Sequence, residues 1–508
     1  MRSLKAYLRV RWSLTAQVAS RVRPAQPLEA CRETDRSMFD QTVLGNAPAV
    51  RGRMLAILQA ALDAVRPDQA VAAHLRRSGS RLSVGDCSYD LTAFRRVLVL
   101  GAGKAGAPMT AAVEQVLGDC ISGGLVVVKT GHGGSDGCAG RVELVEAGHP
   151  TPTEAALAAG ARVLALAEEA GADDLVLVLL SGGGSALLEA TAGVSLSDLQ
   201  QMTAALLACG ATIGEINCLR KHVSLIKGGQ LARVVHPAQL ITLVLSDVVG
   251  SPLDVIASGP TVPDPTTWAD AWAVVEKYGL ERQLPASVIC RLQAGLAGEL
   301  PDTPGPGDRI FTRSQVVVVG DNRLAAQAAL RQAQAQGYNA LLLTTFVEGE
   351  ARTVAEVVAA LAKEVRASGQ PVLAPACLIL GGETTVTLLD GGEEVGQGGR
   401  NQELGLAAAL ALQGATGVTL AALATDGSDG PTDSAGALVD GGTVARGRAL
   451  SLAAAQALRR HDAYPFLEAT GDLLRSGPTQ TNVNDLIVVL IEGATESCTQ
   501  IDSKFRPK

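Results

Sequence analysis

From about residue 95 onward the chain alternates two hydrophobic rhythms. Short runs of Val, Leu, Ile and Ala with almost no polar interruption recur at 96–100, 124–128, 142–146, 175–180, 240–245, 315–319, 340–344, 377–380, 418–424 and 486–491. Between them, at 153–170, 196–209, 215–227, 324–336, 351–367 and 402–412, apolar residues return at helical spacing. A strand that is apolar on both faces must be covered on both, and intervening helices supply the cover. The pattern therefore predicts an α/β chain built on parallel sheets. The stretch 297–314 (AGELPDTPGPGDRIFTRS) concentrates Pro, Gly and Asp and predicts a linker. It separates an N-terminal α/β domain at 50–296 from a C-terminal one at 315–493, with a leader at 1–49 and a tail at 494–508.

Composition narrows the partners. Aromatic residues make up 3% of 508 residues and the formal net charge is −8, a poor supply of base-stacking rings and the wrong sign for a nucleic-acid partner. The longest uninterrupted apolar runs are strand-length, far short of a membrane span. Nine cysteines form no C-x-x-C pair, which favours a reducing compartment over disulfides or zinc. The first 28 residues carry arginines and no acid. They read as sequence upstream of the structured chain in a cytoplasmic protein, with a mitochondrial transit peptide as the alternative.

The 56 glycines exceed the typical ~7%, and they gather just after predicted strands, where ligands bind in open α/β sheets. In RVLVLGAGKAG (96–106), Gly101, Gly103 and Gly106 match the dinucleotide spacing G-x-G-x-x-G. That reading needs an acid at the end of the second strand, and GLVVVK ends in Lys129 instead. Lys104 adds a full charge to a loop that opens a helix, which suits a phosphate. Further backbone for a polyphosphate comes from Ser181, Gly182, Gly183, Gly184 and Ser185 in SGGGS, from Gly381 and Glu383 in GGET, and from Asn401 in GGRNQE.

Charged side chains complete the inventory. Asp247 follows the run 240–245, where a carboxylate can take a proton from a substrate hydroxyl or cap a following helix. Asp426, Asp429 and Asp433 fall within eight positions. They fit Mg²⁺-linked phosphate binding, with Asp426 and Asp429 as ligands, or else an Asx-rich turn. Arg220, Ser224 and Lys227 recur at i, i+4 and i+7, a face suited to a substrate carboxylate or to solvent. Arg400 offers a fork matched to phosphate oxygens. His149 and His222 stand as isolated histidines.

Taken in order, GAGKAGAPM, SGGGSALL, IN-x-LRKHVS-x-IKGGQLA, LSDVVGSPLDVIASGPT, GGET, GGRNQEL, TDGSDGPTDSAGA and GPTQTNVNDL resemble the class II glycerate kinases, the D-glycerate 2-kinases with a C-terminal MOFRL domain. The likeness runs over about residues 50–491. It implies two α/β domains, each a mostly parallel sheet flanked by helices and the N-terminal one Rossmann-like, with the active site in the cleft between them. It also implies ATP and Mg²⁺ as cofactors, D-glycerate as acceptor, 2-phosphoglycerate as product, and Lys104, Asp247 and Arg400 as catalytic residues. Many relatives carry a second acid after SDVVG, where this chain has Ser251. The expected alternative activity is an NAD(P)H-dependent hydroxypyruvate reductase, and a homodimer is the expected assembly.

Overall fold

Among the described residues, the apolar runs fold as strands that gather into two six-stranded sheets, preceded by a small antiparallel meander. The computed structural model describes residues 38–39, 42–45, 47–133, 140–388 and 396–493. The leader as far as 37 and the tail from 494 lie outside the described residues. The meander consists of β1 (Leu75–Ser78), β2 (Arg81–Val84) and β3 (Cys87–Asp90). These short polar strands carry no hydrophobic run that would announce them.

The first sheet contains β4 (Arg96–Ala102), β5 (Ile121–Lys129), β6 (Glu143–Ala147), β7 (Asp174–Leu180), β8 (Gln239–Leu245) and β9 (Ser314–Gly320). They are parallel throughout, in the order β6-β5-β4-β7-β8-β9. Counted from β4 this is 3-2-1-4-5-6, the doubly wound Rossmann order, which reverses between β4 and β7. β9 follows the Pro/Gly-rich stretch yet pairs with β8. The chain therefore passes to the second sheet only after Gly320.

The second sheet holds β10 (Asn339–Glu350), β11 (Ala376–Thr385), β12 (Val418–Ala424), β13 (Gly436–Asp440), β14 (Leu473–Leu474) and β15 (Asp485–Ile491), in the order β10-β11-β15-β12-β13-β14. Only β10 and β11 pair in parallel; β15 runs antiparallel between β11 and β12, and β13 turns back beside β12. Parallel pairing dominates the molecule through the first sheet, whereas the second sheet, expected to be mostly parallel, is mixed. The β12–β13 connection has no crossover helix, so the return strand must run antiparallel. Continuous apolar runs report burial on both faces and say nothing of direction.

One core cluster joins the two halves, combining Leu177 and Ile241 from the first sheet with Ile379, Leu423 and Val488 from the second. The helix Pro48–Ala64, first among the described residues, packs beside Asn322–Ala335 of the second half. Its Arg53 pairs with Glu492 at the end of β15, at 2.9 Å.

Candidate active site

The order reversal between β4 and β7 places the loops after those strands side by side, and they interlock. Lys104 N–H donates to the Gly182 carbonyl at 2.9 Å, and Ala105 N–H to Ser181 Oγ at 3.0 Å. A Cβ on Gly103 (φ +148°) would overlap Ser181 Oγ and lie 2.7 Å from the Ser181 carbonyl; one on Gly101 would overlap the Leu179 carbonyl. Gly101 and Gly103 thus let β4 and β7 approach each other, which corrects their reading as a phosphate cradle. Ser181 and Gly182 are likewise committed to packing, since a Cβ on Gly182 would overlap the Asp247 carboxylate. Gly184 sits against Ala257, and Ser185 Oγ meets Ser258 Oγ at 2.7 Å. Of the SGGGS loop, Gly183 (φ +80°) reaches the open site.

The second sheet contributes from one edge. Because β15 runs opposite to its neighbours, its N-terminal end meets the C-terminal ends of β11 and β12: Asp485 pairs in register with Gly382 and with Ala424. Gly381 has no Cβ because Asn322 Oδ1 occupies that space, and Asn322 Nδ2 donates to the Val483 and Asp485 carbonyls at 2.8 and 2.9 Å. Glu383 projects from β11 toward Arg400, the first residue of the helix Arg400–Ala411.

Between the two sets of loops lies a cavity of about 320 Å³, lined by Lys104, His149, Gly183 and Asp247 from the first half and by Glu383, Arg400, Thr425, Asp426, Asn482, Asn484 and Asp485 from the second. Arg400 is fixed by three charged bonds: Nε to Asp485 Oδ2 at 2.6 Å, Nη2 to Asp485 Oδ1 at 3.0 Å and Nη1 to Glu383 Oε1 at 2.6 Å. Burial opposes its charge, but these carboxylates hold its pKa above the ordinary arginine value. Among the described residues the Lys104 ammonium has no ion-pair or hydrogen-bond partner. Burial pushes the Asp247 carboxyl up while Lys104 pulls it down. His149 is held down at about 4, first by burial and then by the charges of Lys104, Lys129 and His132. It therefore faces the cavity as a neutral imidazole.

Several expected site residues do other work. Asp429 is buried and does not stand as the metal ligand expected of it. Its oxygens accept the N–H groups of Asn401 (3.1 Å) and Gln402 (2.8 Å) at the start of the helix Arg400–Ala411. Asn401 is committed to the same cap, with Nδ2 at 3.2 Å from Asp429 Oδ1. Asp433 turns to Tyr464, so the three aspartates do not share one cation. Asp426 keeps its place in the cavity, with one oxygen accepting from Ser428 N–H at 3.1 Å. No group of three or more His, Cys, Asp or Glu side chains among the described residues forms a ready metal cage.

The expected basic face also changes character. Its helix stops at Val223, because Ser224 takes an extended backbone (ψ 154°). Lys227 is fully buried, 2.7 Å from Glu189 Oε2 and 3.1 Å from the Leu188 carbonyl, and burial lowers its pKa to about 8. It cannot hold a substrate carboxylate. Arg220 donates to the Ser185 carbonyl at 2.7 Å and lies 3.6 Å from Glu189. It supports the SGGGS loop and does not line the cavity. His222 Nδ1 donates to the Cys218 carbonyl at 2.8 Å and the ring stacks edge-on against Trp268, a structural role.

Asp485, Asn482 and Asn484 were not singled out from the sequence, although NVND lies within the motif 477–486. The cluster of hydrogen-bonding side chains just before an apolar strand was the available signal.

A doubly wound sheet whose order-reversal loops face a second sheet across an ionic cavity is the architecture of an α/β enzyme. Comparison with known proteins narrows the class. The family model described as a domain of unknown function (DUF4147) matches residues 53–293, and that of the MOFRL family matches 376–485. A D-glycerate 2-kinase of Thermotoga maritima is 42% identical over 436 residues, covering 86% of this chain and 97% of the relative. A putative hydroxypyruvate reductase of Agrobacterium vitis is 44% identical over 397 residues, covering 78% and 87%. The crystal structure of a glycerate kinase from Thermotoga maritima superposes with a TM-score of 0.78 at 40% identity, covering 87% of this chain and all of the other. The chain belongs to the glycerate kinase family of MOFRL-containing enzymes and is a kinase by class.

Proposed function

We propose that this protein transfers the γ-phosphoryl group of ATP, taken as its Mg²⁺ complex, to the C2 hydroxyl of D-glycerate, giving 2-phosphoglycerate and ADP. The observation that carries the reading is the cavity itself, where Lys104 and Arg400 come from opposite sheets and Asp247 stands at the C-terminal end of β8. The bond from the glycerate oxygen to phosphorus forms while the bond from phosphorus to the β–γ bridging oxygen breaks. Asp247 takes the hydroxyl proton, a task suited to a carboxyl whose burial makes it more basic than usual. Lys104 and Arg400 offset the charge spread over the transferring oxygens.

The cavity holds more carboxylates than cations, so a bare polyphosphate would be repelled. Mg²⁺ typically binds through one or two carboxylates together with phosphates and water. The cavity acids fit that donor set; Asp426 would hold the ion, which when bound neutralises phosphate charge.

Two observations favour the reductase as a second reading: the doubly wound strand order and the name of the Agrobacterium relative. Against it, the space beside Gly103 is taken by Ser181 and β5 ends in Lys129. Coupled ADP release with D-glycerate, run beside NADH oxidation with hydroxypyruvate, separates the two. Phosphorus NMR of the product identifies the esterified oxygen. NADH turnover without ADP release overturns the kinase reading.

A further inference from the structure

Asn484 combines three features. It is 3% exposed, its backbone lies in the left-handed region at φ +66°, and it lines the cavity. Its main chain is tightly held: the carbonyl accepts from Thr425 Oγ1 at 2.6 Å and from Thr425 N–H at 3.2 Å, and its N–H donates to Asn482 Oδ1 at 3.2 Å. The side chain is not. Nδ2 is buried with no hydrogen-bond partner, and among the described residues no bond reaches the other end of the amide. A buried amide donor normally finds a partner, and one left without is costly. Strained backbone that presents such a group at a cavity wall commonly marks a place where a ligand completes the bonding. The neighbour in sequence, Asp485, holds Arg400, and Asn484 and Arg400 both line the cavity from the second half.

We propose that the Asn484 side-chain amide donates a hydrogen bond to an oxygen of the transferring phosphoryl group, completing with Lys104 and Arg400 a three-donor cradle. The inference rests on the phosphotransfer reading given above. A neutral donor is suited to this place. It stabilises anionic oxygens without adding a charge that would draw Asp485 or Glu383 away from Arg400.

The test uses the full-length enzyme with MgATP and D-glycerate and compares Asn484→Asp with Asn484→Gly. Both tolerate positive φ, aspartate replacing the donor with a charged acceptor of the same shape and glycine removing it. Losing one donor to an oxyanion lowers kcat by about 10- to 100-fold in Asn484→Gly, and the repelling carboxylate lowers it further in Asn484→Asp. The KM for D-glycerate is expected to stay within about threefold, and the melting temperature of Asn484→Gly close to wild type, because no internal bond is lost.

Near-normal kcat in Asn484→Asp overturns the proposal, since the amide would then be accepting. So does a loss confined to the KM for D-glycerate, or a loss that tracks a fall in melting temperature in both variants. Wild-type enzyme without glycerate-dependent ADP release counts against the acceptor assignment instead. Calorimetric titration with MgATP alone then still tests Asn484, weaker binding by Asn484→Asp supporting it and equal binding overturning it.

Discussion

Replacing Arg400 with methionine separates two jobs that the structure assigns to one side chain. Its guanidinium neutralises Asp485, whose side chain is only 6% exposed, and also touches Glu383. Removing one partner of a buried pair costs ~3–5 kcal/mol, because the other charge is left stranded. The Arg400 side chain is itself 32% exposed, so water screens part of the pair and about 2–3 kcal/mol is the better expectation.

The penalty depends on pH. Burial holds the Asp485 carboxyl above the usual carboxylate range even with Arg400 in place, and without Arg400 it rises further. The unfolded chain releases that proton near pH 4, so stability is lost as pH climbs from there through the folded-state value. Arg400→Met is therefore less destabilised at pH 5 than at pH 8. The double variant Arg400→Met/Asp485→Asn leaves no buried charge stranded, only the more exposed Glu383 without its partner, and recovers stability to within about 1 kcal/mol of wild type. Its kcat stays about 10²- to 10³-fold low, because the cation facing the phosphoryl group is still missing. Urea unfolding at the two pH values and coupled ADP release measure both quantities. Recovery of activity along with stability in the double variant would refute a catalytic role for Arg400. A single variant as stable as wild type at pH 8 would refute the ion-pair argument.

Lys104→Met should leave urea stability within about 0.5 kcal/mol, since the ammonium has no internal partner, while kcat falls about 10²-fold or more; parallel unfolding and turnover measurements check the contrast. Gly103→Ala should destabilise the protein by about 1–3 kcal/mol and lower activity, because its Cβ collides with Ser181. Adding Ser181→Ala should rescue this only in part, since the Ser181 carbonyl remains 2.7 Å away, as denaturant titration of both variants would reveal. His149, held at about 4 against ~6.5 in an unfolded chain, makes the unfolded state the better proton binder between those values. Its contribution to stability is therefore lost as pH falls through that window, and His149→Asn should flatten the stability–pH curve there by about 1–2 kcal/mol at this partial burial.

The strands were legible because burial on both faces leaves uninterrupted apolar runs, and the runs at 96–100, 175–180, 240–245 and 418–424 all lie within observed strands. Lys104, Asp247, Gly183, Glu383, Arg400 and Asp426 were legible as cavity residues for a related reason. A charged or glycine position immediately after such a run, or opening the next helix, falls at a sheet edge. The misassigned residues share another physical cause. Gly101, Gly103, Ser181, Asp429 and Lys227 have the chemistry of ligand-binding groups, but internal partners already use it, and partner choice is a property of the packed chain.

The sequence by itself determined the α/β class, with strands covered on both faces, and the family, since these follow from local periodicity and from motifs in order. The tertiary structure decided the direction of β15. That reversal brings Asn482, Asn484 and Asp485, at the start of a strand, to the same edge as Glu383 and Asp426 at the ends of others. Antiparallel pairing exchanges the ends of a strand, and nothing in an apolar run records which end faces the cavity.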